Sequence, residues 1–326
     1  MISLSEFLQK TGTEPKLARL MGEVIPGAVI KIQKAITQQK DAPLGRINLL
    51  NLAEARSKGE KAGTINASGE TQLALDVQAN NIAVEELKKS KLVWWIGSEE
   101  LEDPEQIGDE NYPFTVMFDP LDGSSLVDVN FAVGSIFGVY EWPQDKAQRW
   151  ETMQTPRTGD EQVAACYAVY GPHTTLVMTV KKGTHEFRLA EDGKFYLTKE
   201  NLNVAPKAKH FAPGNLRAAA ESEGYLRWVN DCIKNGLTLR YSGGMVPDVN
   251  HILIKGDGIF AYPGYTKAPA GKLRLLFECN PMALLMEQAG GAATDGKERI
   301  LSKLVTELHQ RTPILLGSRE AMILSW

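Results

Sequence analysis

The sequence predicts a mixed α/β (α+β) chain, on three observations. Two early segments repeat apolar residues at helical spacing, two apolar runs with strand character end in acidic residues, and a central meander pattern gives way to alternating helix and strand patterns. The chain has 326 residues, long enough for about two domains at roughly 150 residues each. Composition shifts between Asn201 and Asn215, where Pro206 and Pro213 fall. This predicts an N-terminal domain over 1–200 and a C-terminal α/β domain over 201–326.

From Leu17 to Lys34, the residues Leu17, Leu20, Met21, Val24, Val29 and Ile32 lie near helical spacing, and Pro26-Gly27 bends or divides the segment. A second helix is predicted over Thr71 to Lys88, because Leu73, Val77, Val84 and Leu87 share a face and Ser68 can cap the start. Strands are predicted at Leu92 to Ile96, closed by Gly97, and at Phe114 to Phe118, closed by Asp119-Pro120. Gly134 to Tyr140 and Val163 to Leu197, with turn signals at Gly171-Pro172 and Asp192-Gly193, predict an antiparallel meander. Beyond it, Glu223 to Asn235 reads as a helix, Ile259 to Tyr262 as a strand, and Pro281 to Ala289 as a helix ending at Gly290-Gly291.

With 43% hydrophobic and 23% charged residues the chain has an ordinary globular composition. A net charge of -4 gives no general attraction to nucleic acid or anionic lipid, so neither is an expected partner. Cys166, Cys232 and Cys279 are odd in number and far apart, which argues against zinc or a disulfide framework and for a reducing, cytoplasmic compartment. The opening MISLSEFLQK lacks the basic start and apolar core of an export signal. The uncharged stretch Val163 to Val180 is broken by Gly171 and Pro172 and reads as two strands, not a membrane span.

The most informative stretch is Phe118-Asp119-Pro120-Leu121-Asp122-Gly123-Ser124-Ser125. Pro120 fixes its own φ, so Asp119 and Asp122 can converge on a hard cation such as Mg²⁺, with the Leu121 carbonyl as a further oxygen ligand. Gly123, Ser124 and Ser125 offer N–H and hydroxyl groups suited to a phosphate. The same letters also make a good surface turn. Further acids follow other apolar runs: Glu99 and Glu100 after the first strand, Glu278 after Leu273 to Phe277. Acids at strand ends often meet in ligand sites, although Glu278 can equally pair with Arg274. Arg240-Tyr241, Tyr262, Lys272 and Arg274 suit a second phosphate bound without metal, or else are core tyrosines with surface cations.

The run F-D-P-L-D-G-S-S-L-V-D-V-N followed by V-G-S-I-F-G-V-Y, between Phe118 and Tyr140, together with G-K-L-R-L-L-F-E-C-N-P-M-A from Gly271 to Ala283, closely resembles class I fructose-1,6-bisphosphatases. The first motif fits the wider Mg²⁺-dependent, lithium-sensitive phosphatases, including inositol monophosphatases; the second is characteristic of the bisphosphatase branch. The likeness runs from about Asn66 to the C-terminus. It implies a layered α-β-α-β-α sugar phosphatase fold, a homotetramer, and hydrolysis of the 1-phosphate of fructose 1,6-bisphosphate in gluconeogenesis or a carbon-fixation cycle. By the same resemblance Glu99, Asp119, Leu121, Asp122 and Glu278 hold two or three Mg²⁺ ions, with Mn²⁺ as a substitute. Asp76 and Glu100 orient or deprotonate the attacking water. Glu70, standing where many relatives have Asp, is the third catalytic carboxylate that the resemblance implies. Gly123, Ser124 and Ser125 hold the 1-phosphate, and Ser222, Tyr225, Tyr241, Tyr262, Lys272 and Arg274 serve the sugar and 6-phosphate. Arg240 resembles the arginine that reaches a neighbouring subunit's site.

Departures from the pattern carry their own expectations. Ser222 replaces an asparagine of many relatives, which leaves room for a longer substrate such as sedoheptulose 1,7-bisphosphate. Pro113-Phe114 replaces a Lys-Tyr pair and Glu141 an arginine with which animal relatives bind AMP. Weak or absent AMP inhibition is therefore expected.

Overall fold

The structure, a computed structural model, describes residues 1–38, 74–142 and 156–323. Helices α1 (Leu4–Lys10), α2 (Pro15–Arg19), α3 (Ile25–Thr37) and α4 (Ala74–Ser90) come first. Strands β1 (Val93–Ser98), β2 (Glu105–Gln106), β3 (Phe114–Asp122), β4 (Val133–Glu141), β5 (Gln162–Tyr170), β6 (Thr174–Thr179), β7 (His185–Leu189) and β8 (Phe195–Lys199) form one sheet, in the order β2-β1-β3-β4-β5-β6-β7-β8. Only β1 and β3 run parallel; every other neighbour pair is antiparallel, as the meander pattern predicts.

The second half contributes β9 (His210–Pro213), α5 (Glu223–Lys234), β10 (Thr238–Leu239), α6 (Met245–Lys255), β11 (Ile259–Tyr262), α7 (Asn280–Gln288), β12 (Ala292–Thr294) and β13 (Ile314–Gly317). Its strands form a second sheet in the order β10-β9-β11-β13-β12.

Side-chain alternation explains how the two sheets stack, because successive residues of a strand face opposite sides. Along β5, Ala164, Cys166 and Ala168 enter a core shared with α1 to α4, whereas Ala165, Tyr167 and Val169 enter a core shared with α6 and α7. Those two helices also pack on the second sheet. On that sheet's far side, Phe211, Ile259, Ala261 and Leu315 meet Tyr225, Trp228 and Cys232 of α5. The order of layers is thus α-β-α-β-α, as the resemblance implies, and each buried Leu, Val or Phe contributes about 1.5–3 kcal/mol relative to exposure.

Several local expectations are revised. Between Leu17 and Lys34 the break falls at a π-helical turn, Leu20–Val24, not at Pro26, which sits in the first turn of α3 where a missing N–H costs nothing. Strand β3 continues through Asp119-Pro120 to Asp122. The predicted cap Ser68 and residues 71–73 of the predicted helix lie outside the described residues. Among the described residues no helix is long and apolar enough to cross a membrane. All three cysteines are buried and free.

Candidate active site

The two acids of the central motif are set by a distortion at the end of β3. The register between β3 and β4 shifts between Asp119 and Asp122, where Pro120 has no N–H to give the ladder. Ser135 of β4 donates to the Pro120 carbonyl at 2.7 Å and lies 2.8 Å from the Tyr170 hydroxyl, which fixes the irregularity. Asp119 Oδ1 accepts the Leu121 N–H at 2.9 Å. Asp122 accepts from the N–H groups of Met245 and Val246 at 3.3 and 2.6 Å, so the N-terminus of α6 stabilises its negative charge. Gly123 then turns with φ +76°, a conformation that favours glycine, into a short 3₁₀ turn at Ser124–Val129.

Glu278 arrives from the other sheet's side. It lies in a π-helical turn, Leu275–Cys279, and not at a strand end; π-turns recur at functional sites because the extra residue re-aims side chains. Its Oε2 accepts the Arg274 N–H at 2.6 Å. The Arg274 guanidinium, 2% exposed, reaches Glu99 Oε1 at 3.1 Å and donates to the Lys272 carbonyl at 3.0 Å. Glu99 and Glu100 follow β1, whose parallel pairing with β3 brings the acidic ends of both strands together. The Glu100 N–H donates to Ser98 Oγ at 3.2 Å, and Ser98 donates to Asn80 of α4 at 2.7 Å, the helix that carries Asp76 in its first turn.

Oxygens of Asp119, Asp122 and Glu278 all lie within 4.8 Å of one another, and all three residues are buried. Burial and the charge of Glu99 push the carboxyls of Asp119 and Glu278 well above the ordinary range, against hydrogen bonds from Leu121 and Arg274. Burial also pushes Asp122 up, to about 6. Around them opens a cleft of about 340 Å³, whose described lining holds seven carboxylates against one lysine and one arginine. Crowded buried oxygens with too little cationic charge are the donor set of a hard divalent cation, so these residues fit Mg²⁺ or Mn²⁺.

The cleft gathers most of the expected site residues. Asp76, Glu99, Glu100, Asp119, Leu121 and Asp122 line it, as do Gly123, Ser124 and Ser125. On the far wall stand Tyr241, Tyr262, Lys272, Arg274 and Glu278. Three expected residues are not in its lining. Ser222 caps α5 by accepting the Tyr225 N–H at 3.2 Å. Tyr225 is fully buried, gives its hydroxyl to the Gly214 carbonyl at 2.6 Å and stacks on Trp228. Arg240 is exposed, with one donor on the Leu239 carbonyl. Glu70 lies outside the described residues.

Sequence reasoning passed over Gly243, Gly244, Met245, Asp248 and Phe260, which also line the cleft. The signal was present: Val246, Val249, Ile252 and Leu253 fall at helical spacing and Gly256 closes the segment with φ +77°. That periodicity would have placed Gly243-Gly244 at a helix entry and Asp248 in its first turn.

Comparison with known proteins agrees with this geometry. Residues 47–200 match the sequence profile of the fructose-1-6-bisphosphatase N-terminal domain, and residues 204–325 that of its C-terminal domain. A class 1 fructose-1,6-bisphosphatase of Syntrophotalea carbinolica is 47% identical over 264 residues, covering 79% of this chain and 78% of that protein. The chloroplastic sedoheptulose-1,7-bisphosphatase of Triticum aestivum is 41% identical, over 98% of this chain and 75% of its own. Among solved structures, Leishmania major fructose-1,6-bisphosphatase in holo form superposes with a TM-score of 0.85 at 32% identity, covering 99% of this chain and 97% of that one.

Proposed function

Because the chain belongs to the fructose-1,6-bisphosphatase family, we propose that it hydrolyses the 1-phosphate of fructose 1,6-bisphosphate to fructose 6-phosphate and phosphate, with Mg²⁺ as its cofactor. The observation that carries this reading is the cleft itself. Seven carboxylates face two cations there, and an anionic phosphate enters such a space only when metal ions accompany it. Glu99, Asp119, Asp122, Glu278 and the Leu121 carbonyl would hold two or three Mg²⁺ ions, or Mn²⁺ in their place. When bound, the metal lowers the pKa of water and neutralises charge on phosphoryl oxygens.

The chain's own groups do the rest. Gly123, Ser124 and Ser125 follow the acidic bend in a 3₁₀ turn, where N–H and hydroxyl donors orient the reacting phosphate. Asp76 and Glu100 orient the attacking water and accept its proton. Arg274 offsets charge on Glu99 at 3.1 Å. Tyr241, Tyr262 and Lys272 receive the sugar and its 6-phosphate; a monophosphate would leave these donors unpaired, at a cost on the order of a few kcal/mol. Ser222 and Tyr225 serve this end from behind the lining: Ser222 caps α5, and Tyr225 holds the carbonyl of Gly214, which packs on Tyr262.

The same reading makes the chain two domains divided at 200/201, a cytoplasmic enzyme and a homotetramer in which the exposed Arg240 reaches the next subunit. AMP inhibition is weak or absent, on Pro113 and Glu141. A second substrate is favoured by a specific observation. The wheat relative, 41% identical over 98% of this chain, is a sedoheptulose-1,7-bisphosphatase.

Initial rates of phosphate release with Mg²⁺ on fructose 1,6-bisphosphate, sedoheptulose 1,7-bisphosphate, fructose 6-phosphate and inositol 1-phosphate test the assignment. Preference for the first is expected, with the second also turned over. Preference for either monophosphate would overturn the assignment.

A further inference from the structure

Asp248 has no part in the assignment above, yet it is a buried carboxylate, 4% exposed, in the wall of the cleft. Its Oδ1 accepts the Ser242 N–H at 2.8 Å. Its Oδ2 is buried without a hydrogen-bond partner. A buried carboxylate is costly to keep, so its position in the site calls for a reason.

The loop that Asp248 closes connects both ends of the site. Ser242 follows Tyr241, which stands at the sugar end, and Gly244 leads into Met245 and Val246, whose N–H groups hold Asp122 at 3.3 and 2.6 Å. The loop also rests on the phosphate turn. A Cβ on Gly244 would stand 3.2 Å from Leu126, and one on Gly123 would stand 3.3 Å from the same side chain. Leu126 belongs to the 3₁₀ turn of Ser124 and Ser125. A shift of the loop therefore displaces Tyr241, the donors to Asp122 and the support of the phosphate turn together.

We propose that Asp248 is a positioning residue which, by holding the Ser242 N–H, fixes the loop 242–244 and thereby ties the sugar end of the cleft to its metal end. The substrate half of this inference rests on the bisphosphatase reading; the metal half does not. Two measurements on the full chain test it: Mn²⁺ affinity by calorimetry without substrate, and KM with kcat for fructose 1,6-bisphosphate.

Asp248→Ala is expected to weaken Mn²⁺ binding and raise KM, each about tenfold, while kcat at saturation changes less than about threefold. Asp248→Asn keeps an oxygen for the Ser242 N–H and should recover both quantities to within about threefold of the parent. Should Asp248→Ala fail to fold, Ser242→Pro removes the N–H donor and should produce the same paired loss, whereas Ser242→Ala, which removes only the hydroxyl bonded to Gly244 at 3.2 and 3.3 Å, should not. Unchanged Mn²⁺ affinity in a folded variant, movement of KM alone, or an Asp248→Asn as impaired as Asp248→Ala would each overturn the proposal. A parent protein inert toward fructose 1,6-bisphosphate would overturn the functional reading, and the Mn²⁺ measurement alone would then judge Asp248.

Discussion

Asp122 has its carboxylate held by two N–H groups of a helix start, and burial still pushes its pKa up to about 6. Against an ordinary aspartate value of about 3.9, this is a folding cost in the metal-free protein. The cost is absent below about pH 4, where folded and unfolded states are both protonated, and complete above about pH 6, where both are ionised. A divalent cation held by these carboxylates would offset it. The rise in melting temperature on adding Mg²⁺ should thus be larger at pH 7.5 than at pH 5.5; equal rises at both would contradict the electrostatic account. Asp119→Asn tests the same balance by removing one of three crowded buried charges. In EDTA the variant should melt no lower than the parent, while Mg²⁺-dependent turnover falls about 100-fold or more. A lower melting temperature in EDTA would mean that Asp119 stabilises the fold instead of straining it.

Strand β4 and helix α6 have to approach closely for the donors of α6 to reach Asp122. Gly134, the register partner of Asp122, makes this possible: a Cβ there would lie 2.4 Å from Val246 Cγ1 and 2.5 Å from the Ala168 carbonyl. Gly134→Ala should cost about 1–3 kcal/mol, seen as a melting temperature lower by a few degrees, and should also raise the Mg²⁺ concentration needed for half activity. Normal stability and metal requirement would show that the contact relaxes freely. The elements most legible in the sequence were those whose pattern is local. The meander strands carry their own alternation, and β11 at Ile259–Tyr262 has the bounds its apolar run predicts. What escaped depends on distant partners. Nothing near Pro120 says that Ser135 and Tyr170 brace it within a strand, and nothing near Glu278 says that its apolar run winds into a π-turn. Nor does anything near Tyr225 say that its hydroxyl donates to the Gly214 carbonyl.

At the scale of the whole molecule, the layers divide the work. The first sheet and α4 supply the acids Asp76, Glu99, Glu100, Asp119 and Asp122, while the chain around the second sheet supplies Tyr241, Tyr262, Lys272, Arg274 and Glu278. The cleft lies where these contributions meet, with most of its carboxylates from one side and its tyrosines, lysine and arginine from the other. Most candidate residues were legible because two short motifs carry them. Asp248 was not, because its importance lies in the loop it closes. The central claim is that a metal-dependent centre removes the 1-phosphate and spares the other. Phosphorus NMR of fructose 1,6-bisphosphate incubated with the protein tests this most directly, with Mg²⁺ and with EDTA. Loss of the 1-phosphate signal and appearance of fructose 6-phosphate, in Mg²⁺ only, is the result predicted. Formation of fructose 1-phosphate, or equal turnover in EDTA, would contradict the account.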